Sequence, residues 1–224
     1  MDGRFLKQLF IFIIFLVLIG GIFLLSFKSI IFKKKVEIEN VFSPQVVESG
    51  YLVGEKDSVN LYAKIRNSNL EWSFKRIGYV FNIYSGNNQL LKSVSGETFV
   101  SAQQIKFIIE PAAQISGIPS KITFELVEPV DFERSLTSAS PVQIINKNVT
   151  SENGQVIING DVKNNTIRAI SKVEMVGVGY KGGAIEAVSK TTVSSLNSGE
   201  QDSFRMVFPD ASEILNFEVE AYGY

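Results

Sequence analysis

The amino-acid sequence predicts an all-β protein in which two tandem β-sandwich domains follow one N-terminal transmembrane helix. Three observations support this fold class. A long uncharged apolar run occupies residues 9–27, short segments of alternating apolar and polar residues follow it, and those segments recur 97 residues further on. Turn sequences separate the segments at intervals of about 8–12 residues, a spacing typical of a sandwich or barrel.

The composition excludes several kinds of chemistry. The 224 residues contain no His and no Cys, which removes the commonest catalytic base, the thiol nucleophile, disulfides and the usual zinc and haem ligands. Charge is uneven along the chain, because residues 1–35 sum to +5 and residues 36–224 to −6. An acidic body does not favour nucleic acid as a partner, since phosphate binding requires a basic face.

The apolar run has the length of a membrane span. Residues 9–27 form 19 consecutive uncharged positions, and a helix over about residues 8–32 is expected because Lys28 can extend to the interface. The alternatives are a buried core helix and a cleaved signal peptide. The run is longer than a signal-peptide core and ends in a poor cleavage site. We therefore predict an uncleaved membrane anchor over residues 1–35.

The flanking charges leave the orientation of this anchor open. Four lysines follow the run, whereas Arg4 and Lys7 precede it, and a positive-inside count would place the body in the cytoplasm. A very short N-terminal flank is, however, typical of a signal anchor whose long C-terminal domain is translocated. We expect a single-pass protein of the plasma membrane whose body is extracytoplasmic.

The body contains an internal repeat. Residues 59–68 align with residues 156–165, and the same displacement of 97 pairs Phe107 with Phe204. Residues 36–40 resemble residues 142–146 instead, at a displacement of 106. This second alignment predicts that the first copy carries a longer loop within residues 42–57.

The repeat sets the expected domain boundaries. The first β-sandwich is predicted at residues 36–135 and the second at residues 142–224, with a linker of small polar residues at 136–141. A linker this short predicts that the two sandwiches are stacked end to end.

Each copy has the pattern of half-buried strands. Apolar residues occupy every second position from Val59 to Ile65, and the same alternation recurs over residues 156–162. Asn67 and Asn164 follow these strands, and Asn favours turns because its side chain bonds nearby backbone groups. No stretch after the anchor has a helical period.

Three segments of the body resemble the sequence motifs of a known domain family. Residues 81–85, Phe-Asn-Ile-Tyr-Ser, resemble the F-x-L-Y-D signature of the FxLYD domain, with Ile for Leu and Ser for Asp. Residues 160–166, Gly-Asp-Val-Lys-Asn-Asn-Thr, resemble the early strand and turn of that family. Residues 196–200, Leu-Asn-Ser-Gly-Glu, followed by Phe204, resemble its L-x-P-G-E…F segment.

The resemblance covers roughly residues 36–224, and the WHy-type late-embryogenesis-abundant sandwich is similar in layout. It implies an immunoglobulin-like β-sandwich in each copy, within a bacterial single-pass envelope protein. FxLYD domains bring no catalytic, cofactor-binding or metal-binding residue to this sequence.

Charged clusters are the first candidates for chemistry. Glu110-Pro111 follows an apolar segment, and a core strand ended by Pro is the favoured interpretation. A second group could bind Ca²⁺ or act as acid and base, but it lacks the spacing of a calcium loop, and an exposed acidic strand edge is favoured. This group consists of Glu125, Glu128, Asp131 and Glu133.

Three further patterns are weaker candidates. Lys75-Arg76 beside Trp72 and Phe74 could recognise a glycan, although a packed Trp72 with an exposed basic pair is favoured. Glycines within residues 177–183 lack the following helix of a phosphate loop. Two glycosylation sequons begin at Asn148 and Asn164, a pattern that is frequent by chance.

We therefore expect a non-catalytic binding or scaffolding protein without cofactor or metal. The alternative is a structural subunit of a secretion or pilus-type envelope complex, in which Gly20-Gly21 lets the anchor approach other helices. An enzyme is the third class. The expected partners are the lipid bilayer, through the N-terminal helix, and a protein or glycan at the sandwich edges or the 42–57 loop.

Overall fold

The computed structural model describes Phe12 and residues 41–55, 57–127, 131–135, 141–209 and 211–223. Phe12 apart, the predicted anchor lies outside the described residues, as does nearly all of the predicted linker. Within the described part, no helix has both the length and the apolar character needed to span a membrane. From residue 41 onward every described regular element is a strand, which confirms the all-β prediction.

Thirteen strands are described after residue 40. The first seven are β1 (Gln45–Val53), β2 (Ser58–Arg66), β3 (Trp72–Ser85), β4 (Leu90–Val100), β5 (Ile105–Gln114), β6 (Pro119–Leu126) and β7 (Asp131–Arg134). The next six are β8 (Val142–Glu152), β9 (Gln155–Asn164), β10 (Val173–Lys181), β11 (Ala184–Val193), β12 (Gln201–Phe208) and β13 (Asn216–Gly223).

These strands form four antiparallel sheets with one repeated strand order. In the first half the sheets are β1-β2-β5 and β4-β3-β6, and β7 also pairs with β3. In the second half they are β8-β9-β12 and β11-β10-β13. Each half thus joins its first, second and fifth strands in one sheet and its fourth, third and sixth in the other. The sixth strands, β6 and β13, are displaced by 97 residues.

The prediction of a long loop within residues 42–57 is wrong. Nine of these residues form β1, which pairs with β2 from Gln45↔Arg66 to Val53↔Val59. β1 corresponds to β8 at the displacement of 97, so no insertion separates the copies before β2. The error has a physical cause: as an edge strand, β1 leaves Val46 and Val47 about half exposed and lacks the alternation of a half-buried strand.

Alternating apolar residues build a core within each half. In the first half, Leu61, Phe81 and Ile83 are fully buried, and the rings of Phe81 and Phe124 lie 4.6 Å apart. In the second half, Ile158, Met175 and Phe208 belong to one buried cluster. Both cores follow the two-residue period of strands whose one face is covered.

The two halves pack on each other through sheet faces, so the expectation of end-to-end stacking is wrong. Phe107 and Ile109 of β5 share a buried cluster with Val176 and Val178 of β10 and with Tyr222 of β13. Residues 173–179 of β10 are all buried, which indicates that this strand is covered on both faces. The sheets β1-β2-β5 and β11-β10-β13 therefore face each other.

A buried asparagine ends the second strand of each half. Asn67 and Asn164 are 97 positions apart in the sequence, the repeat distance, and each is completely buried. The Asn67 Nδ2 donates to the carbonyls of Trp72 and Ser101 at 2.7 and 2.9 Å. The Asn164 Nδ2 donates to the carbonyl of Arg168 at 2.7 Å, and also to those of Leu196 and Asn197. In both halves one amide thus joins the turn after the second strand to the turn before the fifth.

We predict that Asn164→Ala lowers the free energy of unfolding by about 2–3 kcal/mol, because it leaves buried carbonyl groups without a donor. Asn165→Ala is the matched control, since Asn165 is exposed and its Nδ2 donates to the exposed side chain of Gln143 at 2.9 Å. Urea unfolding at neutral pH measures both values. Equal stability of the two variants would contradict the structural role of the buried amide.

Gly177 is required by the packing of the second core. A Cβ atom at this position would lie 2.5 Å from Cζ of Phe208 and 2.9 Å from Cε of Met206. We predict that Gly177→Ala destabilises the fold by about 1–3 kcal/mol, since overpacking displaces the Phe208 ring. Gly86→Ala should change stability by less than about 0.5 kcal/mol, because nothing lies within 4 Å of its Cβ position. Thermal unfolding of the two variants distinguishes these outcomes.

Candidate functional site

The interface between the halves contains a cluster of buried charges. Lys106 of β5 is fully buried, and its Nζ lies 3.5 Å from Oε1 of Glu174 on β10, which is 6% exposed. The same Nζ lies 3.6 Å from the centre of the Phe99 ring and 4.6 Å from that of Tyr222. A carboxylate and two aromatic faces therefore surround the ammonium group, which offsets part of the desolvation penalty.

A second lysine extends this cluster. Lys190 of β11 places its Nζ 3.3 Å from Oε2 of Glu174 and 3.8 Å from Oε1 of Glu110 on β5. It also donates to the carbonyl of Ile109 at 3.2 Å. Tyr79 of β3 donates its hydroxyl to the same Glu110 carboxylate at 2.5 Å. Two lysines and two glutamates thus connect the first half to the second.

The protonation of this cluster follows from its burial. Desolvation lowers the pKa of Lys106 to about 8, although the carboxylate of Glu174 acts in the opposite direction. Burial likewise raises the pKa of Tyr222, and the neighbouring Glu220 raises it further. The Tyr222 hydroxyl accepts a hydrogen bond from the Phe107 N–H at 3.1 Å and donates to the Glu220 carboxylate. Tyr222 is therefore a neutral bridge across the interface.

Two open grooves border the interface. One has a volume of about 440 Å³ and lies between the start of β5, at Gln104 and Ile105, and the strands β8 and β13 of the second half. The other, of about 340 Å³, lies beside the turn between β1 and β2 and is also lined by Glu186 and Val188 of β11. The two lysines and two glutamates of the charged cluster lie between these two grooves. Glu220 and Tyr222, at the edge of the interface, line the first groove.

The cluster has the chemistry of a structural joint. Its carboxylates are paired with lysines, and Lys106, Lys190 and Tyr222 each contact the opposite half. Among the residues that the structure describes, no group of three acidic residues could hold a metal ion. The arrangement fixes how the halves meet, since a misplaced register would leave buried charges without their partners.

Glu110 is part of this cluster, and Pro111 does not end its strand. β5 continues to Gln114 through an irregularity at Pro111 and Ala112, where Ala112 has a φ of 51°. The N–H of Ala112 donates to the Asn60 side chain at 2.9 Å. Pro is tolerated here because a bulge removes it from the regular hydrogen-bond ladder.

The acidic group near the end of the first half is not assembled into a site. Glu125 and Asp131 are exposed on different strands, and Glu128 lies outside the described residues. Glu133 forms an ion pair with Lys75 at 2.7 Å, and both side chains are about half exposed.

The remaining candidate residues lie in packing contacts, turns or hydrogen bonds that support the fold. Trp72 packs edge to face on Phe132 with ring centres 5.7 Å apart, while Arg76 beside it is exposed. Gly182 and Gly183 form the turn between β10 and β11 and have positive φ values. The sequon residue Asn148 is exposed, whereas the buried amide of Asn164 is committed to the carbonyl groups described above.

Sequence reasoning missed Lys106, Glu174 and Lys190. A signal was present for two of them, because Lys106 interrupts the apolar segment from Ile105 to Ile109 and Glu174 lies between Val173 and Met175. A charge inside an apolar segment indicates either an exposed position or a buried partner. The sequence alone does not choose between these, since the partner belongs to the other half.

Comparison with known proteins adds little. No protein-family model matches the sequence, and no curated protein matches it. Among solved structures, the crystal structure of red sea bream transglutaminase aligns at 10% identity with a TM-score of 0.26, covering 82% of this chain and 29% of that chain. A TM-score this low does not indicate a shared fold. The FxLYD resemblance stays a prediction.

The buried lysine predicts an unusual dependence of stability on pH. Below about pH 8 Lys106 is charged in both the folded and the unfolded protein, whereas between about 8 and its ordinary pKa of 10.5 only the unfolded chain keeps the proton. The unfolded state then binds more protons, so the free energy of unfolding rises with pH in this window. Relative to Lys106→Met, we expect a rise of at most about 1.4 kcal/mol per pH unit.

Urea unfolding of the native protein and of Lys106→Met at several values between pH 7 and 10 measures this difference. Lys75→Met is the control, because Lys75 is exposed and its hydrogen bond to Glu133 raises its pKa. The difference between native protein and Lys75→Met should be constant over the same range. A constant difference for Lys106→Met as well would show that Lys106 does not lose its proton in the folded protein.

Proposed function

We propose that this chain is a membrane-anchored, non-catalytic binding or scaffolding protein that displays two tandem immunoglobulin-like β-sandwich domains on the extracytoplasmic side. The membrane part of the proposal comes from the sequence, where 19 uncharged residues precede a basic flank. The description as tandem sandwiches is supported by the strand order that the two halves share.

The observation that carries the binding role is the exposed edge of β1. Among the described strands β1 pairs only with β2, so its other edge has no hydrogen-bonded strand in that part of the chain. The Tyr51 hydroxyl of β1 donates to the carbonyl of Pro119 at the start of β6 at 3.2 Å. Val46, Val47 and Val53 are 43%, 50% and 74% exposed on this strand. A bare strand edge with apolar side chains is a template for an extended segment of another protein.

The packing of the halves supports the scaffolding role. The shared apolar cluster and the ion pairs Lys106–Glu174 and Lys190–Glu110 hold the two sheets β1-β2-β5 and β11-β10-β13 in one arrangement. A partner bound at β1 is therefore held at a fixed distance and angle from surfaces of the second half. This is the property expected of a spacer or docking subunit.

The absence of Cys makes a direct test of topology possible. A single Gln89→Cys change places a thiol in the exposed turn between β3 and β4, and Gly3→Cys places one on the other side of the apolar run. In intact cells a membrane-impermeant maleimide should label the first variant and not the second. Both should sediment with membranes and resist extraction at alkaline pH. The reverse labelling pattern would place the body in the cytoplasm, and release at alkaline pH would exclude the anchor.

The edge of β1 is tested by purifying the full chain in mild detergent and identifying the chains that accompany it. Val46→Lys with Val47→Lys should remove a partner that adds a strand at this edge. Val149→Lys, at a similarly exposed position of β8, should retain it. Retention in both variants would refute the edge as the binding surface. Co-purification of many membrane subunits, unaffected by either change, would favour the secretion or pilus-type complex.

A further inference from the structure

One end of the body is built from the two buried asparagines and their turns. We call it the asparagine end and define it by residues 67–71, 101–104 and 165–172. In the first half, Asn67 bonds the carbonyl groups of Trp72 and Ser101. Phe42 is fixed at the same place, because its N–H donates to Asn69 Oδ1 at 2.9 Å and its carbonyl accepts from Asn69 Nδ2 at 2.6 Å.

Both halves contribute to this one end. The groove of about 440 Å³ is lined on one side by Gln104 and Ile105, which adjoin Asn67. On the other side it is lined by Val142, which pairs with Asn164. The two asparagine turns therefore flank a common opening, and the halves are aligned in the same direction.

Large aliphatic side chains are exposed at the same repeat position in both turns. Leu70 is 71% exposed and Ile167 is 92% exposed, and the two are displaced by 97 residues. Phe42, held beside Leu70, is 63% exposed. Single exposed apolar residues are ordinary. Here three of them lie at the end of the body that also receives the N-terminal segment, because Phe42 is bonded to Asn69.

We propose that the asparagine end rests on the phospholipid surface, with Phe42, Leu70 and Ile167 inserted among the lipid headgroups. This inference rests on the proposed membrane anchoring. The chain enters the body here, and the 14 residues between Phe27 and Phe42 span at most about 50 Å when extended. The end that receives the tether is therefore always within reach of the bilayer.

The charges around this end fit an anionic lipid surface. Arg66 and Arg168 are exposed beside the two turns, in a body whose overall charge is negative. The acidic Glu71 forms an ion pair with Arg134, and Glu200 accepts a hydrogen bond from the Asn197 N–H at 2.7 Å. In the sequence, the 14 residues before Phe42 contain four lysines, at 28 and 33–35, and two glutamates, at 37 and 39, so this segment has a net charge of +2. Basic residues close to a bilayer are attracted by anionic headgroups.

The only tryptophan of the chain provides a probe, because Trp72 follows Leu70 by two residues and its carbonyl is bonded to Asn67. The full chain is reconstituted into vesicles of phosphatidylcholine and phosphatidylglycerol, with or without brominated acyl chains. We expect the brominated lipid to quench Trp72 emission. Leu70→Ser with Ile167→Ser should abolish most of this quenching, since the end then loses its apolar contact with lipid.

The matched control uses the opposite end of the body. Ile118 and Leu215 are 84% and 95% exposed and are also displaced by 97 residues, but they precede β6 and β13 at the far ends of β2 and β9. Ile118→Ser with Leu215→Ser should leave the quenching unchanged. Circular dichroism and thermal unfolding verify that both double variants fold.

Three other results would overturn the proposal. If the native chain floats with vesicles but Trp72 is not quenched, the membrane anchor is supported and the contact of the asparagine end with lipid is refuted. If the chain does not float at all, the proposed anchoring itself fails. If Leu70→Ser with Ile167→Ser instead converts a dimer to a monomer in detergent, the apolar surface is covered by a second copy of the chain.

Discussion

Two buried carboxamide groups organise this body. Asn67 and Asn164 each end a central strand, turn the chain toward the opposite sheet and bond the segment that leads into the fifth strand of the half. Each Oδ1 also accepts the N–H of the residue two positions later, at 3.0 and 2.9 Å. A single side chain thus satisfies several buried backbone groups, which would otherwise destabilise the fold. Because the group is repeated, both halves place their strands, and the exposed residues of their turns, in the same way.

The joint between the halves combines apolar burial with charge. The cluster around Phe107 and Tyr222 supplies most of the driving force, because apolar area is removed from water on both sheets. The ion pairs that cross the joint, Lys106 with Glu174 and Lys190 with Glu110, add little net free energy, since desolvation opposes them. Their contribution is selectivity, because only one placement of the sheets pairs these buried groups. A purely apolar joint would allow neighbouring placements of similar free energy.

The sequence was sufficient for the features that depend on local pattern. Alternation from Val59 to Ile65 predicted β2, and Asn67 and Asn164 predicted the turns that follow β2 and β9. It failed where burial is decided by distant residues. β1 has no buried alternation because it lies at a sheet edge, and residues 173–179 are buried on both sides because the other half covers them. Lys106 was missed for the same reason, since its carboxylate partner lies 68 positions further along the chain.

The shared cluster also bears on how this architecture can be divided. Repeated sandwiches are usually regarded as modules that can be moved from one protein to another. Here either half, if excised, would present Phe107 and Ile109, or Val176 and Val178, to water, together with a lysine or a glutamate that has lost its counterion. Each half covers apolar side chains of the other half and keeps them out of water. The two halves therefore depend on each other, and a fragment that contains one half alone is expected to be poorly soluble.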